Sequence, residues 1–141
     1  MTRPKLPEES ALIRTDYTDD GAWNQVVAAA QAPQAPDGFM ADLTPVNDPS
    51  WDGITVAELL AEIGEPPPYY VFIVDRETLT NPEHPILAID ISGTEYPEEH
   101  GQTVRVIPSA MWSIENNLSL ANMDFIEFVE SADDDGIFRR F

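Results

Sequence analysis

The chain has 141 residues, 43% of them hydrophobic, with 26 acidic against 7 basic side chains and a formal net charge of −19. That length and apolar share fit one globular unit with a proper core, and the charge repels nucleic-acid phosphates and anionic lipid. The absence of cysteine excludes disulfides, thiolate metal sites and a Cys nucleophile.

In chain order, residues 1–10 are polar, contain two prolines and read as a flexible arm; residues 11–141 read as a single α/β domain. The opening residues lack an apolar h-region, so no secretory signal is expected. No apolar run approaches a membrane span, and cytoplasmic residence is expected. Leu12–Thr15 predicts a strand. Thr18 is the expected cap of a helix running to about Gln31, with Trp23, Val26, Val27 and Ala30 at helical spacing. Gly38 to Val46 predicts a second strand around Phe39–Thr44, with Phe39, Ala41 and Leu43 on one face. Trp51 is expected to fold back on the core. Thr55 and Glu58 form a capping box for a helix with the stripe Val56, Leu59, Leu60 and Ile63, stopped by Gly64 and Pro66–Pro68.

The run Tyr69–Val74 is almost wholly apolar and suits a strand covered on both faces, and Ile86–Ile89 is a second such run. Residues 76–85 are too few for a full helical crossover, so these strands are expected to be antiparallel or non-adjacent. After a polar loop at 92–102, Thr103–Ile107 predicts a hairpin partner of 86–91. Helices follow around Ser109–Asn117 and from Met123 to Ala132, with Asn122 as the expected cap of the second. The order β-α-β-α-β-β-β-α-α predicts a mixed sheet of four or five strands flanked by about four helices.

Three strands end in aspartate: Asp16, Asp75 and Asp90. Ligands gather at carboxyl ends of strands in open α/β sheets, and three carboxylates there would suit Mg²⁺ and phosphate-ester chemistry. Against this, aspartates punctuate strand ends by bonding local backbone, and the short 76–85 link tends to separate Asp75 from Asp90. Asp133–Gly136 lacks the remaining ligands of a calcium loop and reads as a helix end and turn. His84 and His100, the only histidines, have no spaced partners for zinc; His84 lies in a Pro-flanked loop that reads as a register-setting turn, with a contact surface as the alternative. No serine sits in a nucleophile elbow, and no Gly-rich phosphate loop or basic aromatic patch is present. No cofactor is expected. The amides of Glu115–Phe125 read as backbone-satisfying groups at helix ends, with a polar recognition site as the alternative.

Leu12–Asp16 with Trp23, Thr80–Pro85 and Glu115–Phe125 together resemble a small bacterial family catalogued as a domain of unknown function. The resemblance runs over about residues 11–141 and implies a standalone soluble bacterial domain. It transfers no activity and no catalytic residues.

The leading expectation is a non-enzymatic acidic binding domain whose partner is a basic protein, such as a toxin held by an immunity-type inhibitor. Residues 37–68 carry seven carboxylates and no cation. The candidate contacts are Asp42, Asp48, Asp52, Glu58 and Glu62, with Glu95, Glu98 and Glu99 on the polar loop. The alternatives are the Mg²⁺-dependent enzyme built on Asp16, Asp75 and Asp90, and a domain whose acidity serves only solubility or salt adaptation.

Overall fold

A computed structural model describes residues 6, 10–34, 37–63, 70–91 and 101–141. Among these, six strands form one mixed sheet: β1 (Ala11–Arg14), β2 (Thr44–Val46), β3 (Val71–Val74), β4 (Ile86–Ile89), β5 (Thr103–Val106) and β6 (Ile137–Phe138), in the order β2-β1-β3-β4-β5-β6. The helices are α1 (Asp20–Gln31), α2 (Val56–Glu62), α3 (Arg76–Thr80), α4 (Met111–Ser119) and α5 (Phe125–Ser131). β1 is parallel to both β2 and β3, β3–β4 and β4–β5 are antiparallel, and β6 runs parallel to β5. The expected α/β class and mixed sheet are therefore present, with β6 and α3 in addition.

β3 and β4 are apolar at every position because both faces of the sheet are covered. Leu12, Phe72, Val74, Ala88 and Val106 meet Trp23 and Val26 of α1, Met111 and Ile114 of α4, and Phe128 of α5 in one cluster. Ala11, Ile13, Val71, Ile73 and Ile89 meet Trp51, Ile54 and Leu59 in the other, under α2. Trp51 thus folds back as expected. The α2 stripe is as read, with Leu59 fully buried and Val56, Leu60 and Ile63 packed around it.

Several local expectations change. Asp19, not Thr18, caps α1, its carboxylate accepting from the Ala22 N–H; Thr18 bonds Asp16 instead. Asp124, not Asn122, caps α5 in a capping box with Glu127. Residues 76–85 hold a one-turn helix that Asp75 and Thr78 cap reciprocally, so an acidic strand end serves as a helix start. The expected strand at 38–46 shrinks to Thr44–Val46. Its ladder begins where β1 begins, with Ala11 opposite Thr44, and residues 39–43 have no strand beside them. β6 escaped notice because two residues cannot show a period; Gly136, at φ +80°, makes the turn into it. The flexible-arm reading of residues 1–10, the Gly64 and Pro66–Pro68 stop and the loop at 92–100 lie largely or wholly outside the described residues.

The amide-rich segment ends α4 in a Schellman turn. The Ala121 N–H reaches the Leu118 carbonyl at 3.1 Å and the Asn122 N–H reaches that of Asn117 at 2.9 Å. Ala121 takes φ +57°, where a β-carbon is penalised and glycine is not. Ala121→Gly is expected to stabilise the fold by about 0.5–1 kcal/mol. The check is a rise in urea midpoint at unchanged denaturant slope.

Candidate functional site

The chain leaves β1 over one face through α1 to reach β2, then returns over the other face through α2 to β3 on the far side of β1. The carboxyl end of β1 is therefore the switch point where open α/β sheets place ligands. Asp16 lies there, but its carboxylate accepts from the Thr18 N–H at 2.9 Å and the Thr18 hydroxyl at 2.5 Å. Arg14, the last residue of β1, is 2% exposed. Its guanidinium donates to the Asp16 carbonyl at 2.9 Å and the Asp20 carboxylate at 2.6 Å, and lies 4.3 Å from the centre of the Tyr17 ring. Burial raises the Tyr17 pKa and Asp48 and Asp52 add to the rise, against the opposing pull of Arg14.

Asp75, at the end of β3, points into a second network. Arg105 of β5 donates to both its oxygens at 2.8 Å and to Glu77 at 2.7 Å. Burial pushes the Asp75 pKa up, but the hydrogen bonds from Arg105 and the Thr78 N–H outweigh it, and the net shift is downward. Asp90 follows β4, which runs antiparallel to β3, so it sits at the opposite end of the sheet from Asp16 and Asp75. The three strand-end aspartates do not converge. Among the described residues, no group of three or more His, Asp or Glu is placed to hold a metal ion. His84 serves its loop: its Nδ1 lies 2.8 Å from the Thr78 carbonyl, and its backbone takes φ +50°. His100 lies outside the described residues.

The acidic candidates fall into separate places. Asp48 follows β2, and its carboxylate accepts from the Ser50 N–H, which lowers its pKa. Asp52, Glu58 and Glu62 are exposed on the 3-10 turn at Pro49–Trp51 and on α2, the segment that roofs the second face. Asp42 is exposed as well but precedes β2, so it lies at the other end of that strand from Asp48. Glu95, Glu98 and Glu99 lie outside the described residues.

Three of the cations behave differently: Arg14, Arg105 and Arg139 point into the protein's own carboxylates, whereas Arg76 and Arg140 are exposed. Arg139 bonds Glu83, Asp133 and Asp135 at 2.7–2.8 Å, and these bonds hold its pKa above the ordinary value. The Asp133–Gly136 segment is thus a turn clamped by Arg139, as its structural reading expected.

One buried carboxylate was missed. Glu115 is 3% exposed and accepts from the Ser10 hydroxyl at 3.1 Å, the Asp42 N–H at 2.7 Å and the Ser119 hydroxyl. The signal was in the sequence: Met111, Ile114 and Leu118 set the buried stripe of α4, and Glu115 falls on it. The neighbouring amides satisfy backbone, Asn116 donating to the Met40 carbonyl and Asn117 to that of Ser113.

The whole of this architecture falls within one family model, which matches residues 9–141. The chain belongs to the family described as Domain of unknown function (DUF6924). No curated protein matches the sequence. No helix among the described residues is long and apolar enough to cross a membrane.

Proposed function

We propose that this DUF6924 domain is a non-enzymatic docking protein for a basic protein, acting by occlusion or recruitment as an immunity-type inhibitor does. The observation that carries the reading is the unequal use of charge. Arg14, Arg105 and Arg139 tie the protein to itself, whereas Asp52, Glu58 and Glu62 face solvent on a segment, residues 37–63, that contains no cation. A body of net charge −19 arranged this way steers a cationic surface toward it, with fast and salt-sensitive association. The dispersal of Asp16, Asp75 and Asp90 leaves the phosphate-ester alternative without an assembled site.

The test is a pull-down at low and high salt, run beside the variant Asp48→Asn/Asp52→Asn/Glu58→Gln/Glu62→Gln. A basic protein retained at low salt, released at high salt and weakened by the variant is the expected result. Failure to retain any basic protein at low salt overturns the reading and leaves acidity as a solubility device.

A further inference from the structure

The large apolar side chains exposed among the described residues are Phe39, Met40, Leu120 and Phe141. Phe141 is accounted for, since its ring packs on Phe128 and Phe138 at 5.2 and 4.9 Å. The others gather around α4. Phe39 stacks on Trp112 with ring centres 5.2 Å apart and planes 16° off parallel. Trp112 and Asn116 lie four residues apart along one side of α4, and Leu120 follows at its C-terminal cap. Scattered apolar residues on a surface are ordinary; a clustered set marks an interface.

The loop that presents Phe39 and Met40 is held from several directions. The Gln34 N–H donates to the Phe39 carbonyl at 3.0 Å, and the Gly38 N–H donates back to that of Gln34 at 2.6 Å. Asn116 grips the Met40 carbonyl at 3.2 Å, and the buried Glu115 carboxylate takes the Asp42 N–H at 2.7 Å. Two consecutive residues of α4 thus fix the loop while Phe39 and Met40 each remain 50% exposed. A loop whose backbone is fixed has less freedom to lose on binding, which is what a preformed docking surface requires.

We infer that the basic partner seats an amphipathic segment here, an apolar side chain on Phe39, Met40 and Trp112 with flanking Lys or Arg meeting Asp37 and Asp42. This rests on the acidic-docking reading through the net charge of −19, and it places the anchor on the α1 and α4 face of the sheet, across from the α2 face that carries Asp52, Glu58 and Glu62. Asp37 and Asp42 are both exposed and bracket the Phe39–Met40 pair, so an apolar centre carries an anionic rim. That is the arrangement of an interface core and its border. A second copy of the chain would bring the same carboxylates and the same net charge to the contact, whereas a basic amphipathic segment complements both the centre and the rim.

The molecule carries its own reporter. Trp23 and Trp51 are 4% and 2% exposed, whereas Trp112 is only partly buried. The probes are a tryptophan-free amphipathic peptide of Lys and Leu, and an oligolysine of equal charge. Titration with the Lys/Leu peptide is expected to shift tryptophan emission to the blue, and oligolysine to bind without that shift. By calorimetry, Phe39→Ser/Met40→Ser weakens the Lys/Leu peptide about tenfold, the scale of lost interface anchors, and leaves oligolysine unchanged. Both residues are half exposed, and circular dichroism with the thermal midpoint verifies that the variant folds. Undiminished binding of the Lys/Leu peptide to that variant overturns this surface and spares the acidic-docking reading. Failure of both peptides to bind at low salt overturns both. Self-association of the protein alone, seen by sedimentation and abolished by the same variant, overturns the basic occupant in favour of a second copy.

Discussion

Glu115→Ala is expected to lower the free energy of unfolding by about 3 kcal/mol. The carboxylate joins three pieces of chain: Ser10 at the entrance to β1, the Asp42 backbone before β2, and Ser119 on its own helix. Truncation leaves the Asp42 N–H without this acceptor and opens a cavity in a site that is 3% exposed. The lost bonds to a charged acceptor are each stronger than neutral ones, but removing the carboxylate also relieves its own desolvation, which limits the total. Glu115→Gln keeps one acceptor oxygen and turns an amide NH₂ toward donors, so its cost falls below that of alanine. Ser119→Ala removes one exposed donor and is expected to cost under about 1 kcal/mol. Urea unfolding of the three variants measures the order. A Glu115→Ala protein within about 0.5 kcal/mol of the parent, the level of an ordinary surface substitution, would show that the tie is not structural. Hydrogen exchange at Asp42 supplies the local readout, because its amide loses the acceptor that protects it.

Asp75→Asn is expected to cost about 2 kcal/mol near neutral pH, and the cost vanishes in acid. Asparagine can still cap α3 through its carbonyl oxygen, so the loss falls on the two-oxygen grip of Arg105, which keeps Glu77 as its remaining carboxylate. The sign of the pH effect follows from the lowered pKa of Asp75 in the folded protein. A depressed folded-state pKa contributes stability that is fully present above the unfolded value, about 3.9, and is lost as pH falls through the folded one. The parent and variant curves of urea midpoint against pH should therefore separate at neutral pH and converge in acid. Glu83 and Asp135 have lowered pKa values too, held by Arg139, but they are common to both proteins and cancel in the comparison. A gap of constant size down the acid limb would mean that Asp75 contributes through shape and not through charge.

Both substitutions concern groups whose local chemistry was visible and whose partners were not. Asp75 was legible as the end of an apolar strand, yet Arg105 stands thirty residues away and reaches it because β4 lies between β3 and β5 in the sheet. Glu115 was legible as an acid on a buried helical stripe, but Ser10 and Asp42 come from segments that only the folded chain brings to α4. The capping box at Thr55 and Glu58 was readable in full, since every atom it needs lies within four residues. The two-residue spacing puts Phe39 on one strand face with Ala41 and Leu43. Those two are buried, but Phe39 lies beyond the ladder, where Gly38 at φ +74° has already turned the chain.

Composition and short-range order settled the charge, the apolar strands, the helix signals and the class of fold, because these depend on residue type and on contacts a few positions apart. Strand direction, the separation of Asp90 from Asp16 and Asp75, the ion pairs of Arg14, Arg105 and Arg139, and the placing of the half-exposed Phe39 and Met40 beside α4 were decided by tertiary structure. Each depends on which distant segments become neighbours, and a period along the chain carries no information about that.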